Sequence, residues 1–204
     1  TIKSSDSKIK LSEINSNFVD ITSNYGNIDL SNLESSRVNL STTDGNINLN
    51  NLIVSEKINI KNSYGEINID NSKLENIVSL LNDGNINISN TRSNISEIKN
   101  KFGNINLTKC LSSGLSIDVN DGNVDLEGSF MGNTTINNKY GDINIVTNEN
   151  ERFYNYSINN NYGDINVGSK YAEGSITKDG NGKYILNLNC NDGNINVDFK
   201  NQIN

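Results

Sequence analysis

Apolar and polar residues alternate along this chain in a phase that returns every 19 or 20 residues through most of its length. Glycine marks the phase. Two places after Gly26, Gly45, Gly65, Gly84, Gly103, Gly122, Gly141, Gly163 and Gly193 stands isoleucine, or valine at Val124. Four places after stands Leu, Ile or Val, and the residues between are polar in every copy. A period of two is the mark of a strand with one buried face. A second alternating run precedes most glycines, as in Val38 and Leu40, Ile58 and Ile60, or Leu115 and Ile117. Each copy therefore reads as strand, tight corner, strand, and a looser connection of about six residues. Glycine suits the corner because it enters positive φ without steric cost.

Nine copies at near-constant spacing point to a repeat architecture. The pattern predicts an all-β fold, a single-stranded parallel β-helix with about 19–20 residues per coil. Nine coils would span some 45 Å at about 4.8 Å per rung. Only 33% of the 204 residues are hydrophobic. That is low for a globular domain, but a narrow solenoid needs only a thin apolar column. Proline, which interrupts ladders, is absent. No window carries a sustained helical period. Residues 1–20 alternate without a glycine corner and read as an irregular N-terminal cap coil. Residues 21–147 are the regular body, and 148–204 are irregular coils. There, Lys178-Asp179-Gly180-Asn181-Gly182-Lys183 signals a C-terminal hairpin cap between Ser175–Thr177 and Tyr184–Leu186. No linker breaks the chain, so 1–204 reads as a single domain.

The residue before each glycine alternates: Tyr25, Asp44, Tyr64, Asp83, Phe102, Asp121, Tyr140. With 19-residue coils, the Asp side chains would lie about two rungs apart and avoid stacking like charges. With 38-residue coils, aromatics would stack on aromatics and Asp on Asp, which needs a cation. The like-charge cost favours the shorter coil.

Charge and composition narrow the function. A net charge of −7 disfavours nucleic acid as a partner. No apolar run is long enough to span a bilayer, so no direct membrane insertion by this segment is expected. There is no histidine, the commonest general base, and the three arginines share no register, so the expectation is no enzyme. No cofactor and no metal is expected: Asn-Asp-Gly here reads as turn chemistry, with Asp83 accepting backbone N–H groups, rather than as a calcium loop. Cys110 and Cys190 are too far apart in a solenoid to bridge and are expected unpaired. Two outward columns remain as a candidate binding face. One place after the glycines stand Asn46, Glu66, Asn85, Asn104, Asn123 and Asp142; three places after stand Asn48, Asn68, Asn87, Asn106, Asp125 and Asn144. They form either a flat polar surface for glycan or protein, or amide ladders that serve only the fold. The aromatics before the glycines could stack sugars, but their phase favours core or corner packing.

The units Asn-Tyr-Gly-Asn-Ile-Asp-Leu and Asn-Asp-Gly-Asn-Ile-Asn-Ile resemble the β-strand repeats of the DUF4097-type bacterial adhesin family, related in style to head GIN domains. The resemblance covers residues 21–197. It implies a right-handed solenoid on a bacterial cell surface or in a secreted protein, and it supplies no catalytic residues. The expected role is a non-enzymatic binding module for glycans or surface proteins. A structural or regulatory cell-envelope domain binding another protein is the alternative, and a carbohydrate-active enzyme on a β-helix is the third reading.

Overall fold

The computed structural model of the protein describes residues 1–201. The chain is a β-solenoid of parallel coils, with about 8 turns. Coil length is settled by the register, which pairs Ile28 with Ile47, Ile47 with Ile67, Ile67 with Ile86 and Ile86 with Ile105. One copy is one coil, so Tyr25 pairs with Asp44 and Asp44 with Tyr64. The isoleucines and valine two places after each glycine are fully buried and stack into the central column.

The corner depends on close approach as well as on φ. Gly84 has φ +139°, and a Cβ there would sit 2.1 Å from the Gly65 carbonyl oxygen of the preceding coil. Stacked corners therefore exclude every side chain at this position.

The connection after each glycine-led strand is tighter than the sequence pattern suggests. Strands such as Ile28–Asp44 and Ile105–Asp121 run unbroken from one corner to the next. Six places after the glycine, Asn32, Asn51, Asn71 and Asn90 take φ of 52°, 55°, 49° and 47°. A second corner thus recurs in the left-handed region, which asparagine tolerates better than most residues.

The C-terminal part departs from chain order. Ile143 pairs with Ile195, and Ile195 pairs with Ile165. The strand Tyr154–Val167 therefore skips one rung, and the later strands Tyr184–Asp192 and Ile195–Phe199 enter the slot it leaves. The hairpin expected between 175–177 and 184–186 does not form. The strand Lys170–Lys178 pairs antiparallel with Tyr154–Val167 and lies over the end of the stack. Burial explains the exchange. Tyr184–Asp192 alternates apolar-in like a coil interior and is paired on both sides, whereas Lys170–Lys178 has no buried residue and suits an outer edge. Tyr154 anchors the crossing. Its ring is fully buried against Tyr184 and Phe199, and its hydroxyl donates to the Phe130 carbonyl at 2.9 Å.

Candidate ligand-binding face

The two predicted polar columns lie side by side along the solenoid, and their side chains are largely committed within the stack, the first column to backbone N–H groups and the second to one another. In the first column the asparagine side chains reach one coil onward, while the Glu66 carboxylate accepts from Asn68 beside it. Asn46 Oδ1 accepts the Glu66 backbone N–H, Asn85 that of Asn104, Asn104 that of Asn123, and Asn123 that of Asp142, each at 2.9 Å. These amides satisfy the corner's backbone donors. The second column is a directed amide ladder. Asn48 Nδ2 donates to Asp29 at 2.7 Å, Asn68 to Asn48 at 3.0 Å, Asn87 to Asn68 and Asn106 to Asn87 at 2.9 Å. A second run starts at Asp125, which accepts from Asn144 at 2.8 Å. All NH2 groups point toward the N-terminal coils. Each run begins at a carboxylate, which only accepts and sits at the positive end of the aligned amide dipoles. Burial acts to raise the Asp29 pKa, but the Asn48 hydrogen bond and Lys8, 2.7 Å away, hold the carboxyl below the usual carboxylate value.

The neighbouring corner is less committed. The aromatics before the glycines do not pack in the core: their exposure runs from 39% at Phe102 to 71% at Tyr162. With the intervening aspartates they form one straight ridge, ordered Phe102, Asp121, Tyr140, Asp192, Tyr162 by register. Turn chemistry predicts Asp83 as an acceptor of backbone N–H groups, but the residue is exposed on this ridge.

The alternation has a structural cause one layer in. Asn100, buried three places before Gly103, donates Nδ2 to the carbonyls of both Gly84 and Gly103, at 2.8 and 2.9 Å. Asn138 does the same for Gly122 and Gly141. One amide serves two successive corners, so only every second coil needs one. The glycine φ alternates with it: 115°, 112° and 118° at Gly65, Gly103 and Gly141, against 139° and 149° at Gly84 and Gly122. The amide oxygens of Asn62, Asn100 and Asn138 are left buried without a partner. Asn62 donates to the Gly45 carbonyl alone, at 2.8 Å.

Beside the ridge runs a groove of about 600 Å³, whose lining includes Lys99, Lys101, Asn120, Asn137, Lys139 and Asn189. The Lys101 ammonium lies 5.2 Å from the Phe102 ring centroid, and that of Lys139 5.2 Å from the Tyr140 centroid.

A family model described as Toastrack DUF4097 matches the chain over residues 1–82 and 53–198. The protein belongs to the Toastrack DUF4097 family. The overlap of the two matches suits a repeat lattice, where one coil resembles the next. No curated protein and no solved structure matches the chain. In this Toastrack domain both cysteines are buried and unpaired, and burial pushes both thiols up. Among the described residues, no group of three or more His, Cys, Asp or Glu is gathered to hold a metal ion. No described helix is long and apolar enough to cross a membrane.

Proposed function

We propose that this Toastrack domain is a non-catalytic binding module of a bacterial cell-surface or secreted protein. Its partner, a glycan or a surface protein, meets it along the aromatic ridge and the adjoining groove. The observation that carries this reading is the line of exposed rings at Tyr25, Tyr64, Phe102, Tyr140 and Tyr162, all in register on one edge. Single exposed aromatics need no explanation, but rings that recur on every second coil along one edge, with an exposed aspartate between them, make a periodic amphipathic row suited to an interaction surface. The polar columns headed by Asn46 and Asn48 are less available, since their amides are engaged between coils. They flank the contact and keep the face soluble. The absence of histidine in the chain supports a role without acid–base chemistry.

An array carrying immobilised glycans and purified bacterial envelope proteins tests the reading. The domain is expected to be retained on one class, with retention lost in the Tyr64→Ala/Phe102→Ala/Tyr140→Ala variant. Equal retention of the variant removes the ridge from the reading, and no retention on either class removes the reading itself.

A further inference from the structure

We propose that the ridge and groove bind an uncharged, linear β-1,4-linked polysaccharide laid parallel to the solenoid axis. This rests on the binding-module reading above and names its ligand class. Periodicity carries the argument. Register places Phe102 and Tyr140 two rungs apart, with Asp121 between them. Two rungs are about 9.6 Å, close to the two-residue repeat of an extended β-1,4-glycan. A polymer with that repeat meets an aromatic ring at every second sugar and an aspartate at every sugar between. Polymers that curve, such as α-1,4-glucans, leave a straight row within a few residues.

Each contact has matching chemistry. The electron-rich ring faces of Phe102 and Tyr140 suit the C–H-lined faces of sugar rings. Asp121 is exposed and accepts sugar hydroxyls. On the groove side, the ammonium groups of Lys101 and Lys139 lie over the two rings, so the sugar stacks on the face they leave open and the lysines supply donors beside it. Asn120 lies between these lysines in the same outward column and lines the groove with them. Charge selects the class of glycan. Rung by rung along this edge, the coils that carry Lys101 and Lys139 alternate with those that carry Asp83, Asp121 and Asp192. A polyanion would meet the carboxylates at close range, and a polycation the lysines. An uncharged chain meets neither penalty.

Titration calorimetry of the whole chain with hexamers of β-1,4-linked glucose and of β-1,4-linked N-acetylglucosamine tests this, with an α-1,4-linked glucose hexamer as comparison. Binding of one or both β-linked hexamers is expected, with little or no binding of the α-linked one. Affinity should rise by about tenfold from trimer to hexamer, as a second ring is engaged. Phe102→Ala/Tyr140→Ala should weaken the hexamer by about tenfold or more. Phe102→Tyr/Tyr140→Phe should retain binding, as should Lys73→Ala on another face. Both alanine sites are exposed, and an unchanged melting temperature confirms that the double variant is folded. The proposal is overturned if neither β-linked hexamer binds, if the α-linked hexamer binds equally, or if the folded double variant binds like the parent. It is also overturned if sedimentation shows a dimer that the double variant dissolves, since the ridge then meets a second copy. Retention on an envelope protein without hexamer binding would sink the polysaccharide and leave the binding-module reading standing; loss of both would sink the two together.

Discussion

Single residues carry the coil. At Gly84 a Cβ would lie 2.1 Å from the Gly65 carbonyl oxygen, which is backbone and cannot yield without moving a coil. Gly84→Ala is therefore expected to destabilise by well over ~1 kcal/mol, with strain at positive φ added to the clash. Chemical denaturation measures it; a change within ~0.5 kcal/mol of zero would mean that the corners do not stack as described. Asn100 has a different effect. Its Nδ2 answers two inward carbonyls, from Gly84 and Gly103. Asn100→Ala strands both and should cost ~1–3 kcal/mol, reduced by the relief of its own unpartnered oxygen. Asn94→Ala, which removes an exposed bond to Glu75, should cost far less.

At the scale of elements, two features set the stack. The amide ladder is interrupted where Asp125 follows Asn106, because a carboxylate has no proton to pass back. Asp125→Asn supplies the missing donor and keeps the acceptor for Asn144. It is expected to join the two runs and stabilise by ~0.5–1 kcal/mol, read as a higher denaturation midpoint. An unchanged or lower midpoint would show that the ladder does not propagate. The second feature is the inserted coil. Leu188 is fully buried within it, between coils that precede it in sequence by 52 and 30 residues. Leu188→Ala should cost ~2–5 kcal/mol, as in any tight core. Ending the chain after Lys183 should do more, since the slot under Tyr154–Val167 then opens. Hydrogen exchange should show lost protection on both of its walls, at 133–147 and 154–167. Loss of protection confined to one wall would contradict the insertion.

For the whole molecule, pH is the informative variable. The Asp70 carboxyl is held below its ordinary value by hydrogen bonds from Ser89 and Asn90. At Glu151 burial acts to raise the pKa, but Lys170, Tyr156 and Lys178 outweigh it. Asp29 is depressed as well. For each, the unfolded chain binds the proton more readily. Their stabilisation is thus present above the ordinary carboxylate values, near 3.8 for Asp and 4.5 for Glu, and is lost as pH falls through the folded values. Thermal scans should show a melting temperature that drops below about pH 4.5. The drop should be shallower in Glu151→Gln, which cannot take up that proton. An equal drop in this variant would move the acid sensitivity to other carboxylates.

Much of this was legible in the chain alone. The glycine corner, the inward Ile-Leu-Val column and the two outward polar columns follow from the period of two and the 19–20 residue return; coil length was favoured by the like-charge cost and settled by the register. The second corner at Asn32, Asn51, Asn71 and Asn90 also had a signal, an asparagine six places after the glycine, but it lay inside a stretch read as loose connection. Other features had no local signal. The direction of the amides, the exposure of Phe102 and Tyr140, and the bridging by Asn100 depend on which atoms lie one coil away. The C-terminal order is the clearest case. Both the coil at 154–167 and the coil at 184–199 satisfy the same alternation, so pattern alone cannot say which sits beneath the other. Burial decided it: Lys170–Lys178 could only lie on the outside, so the apolar strands that follow it took the slot beneath.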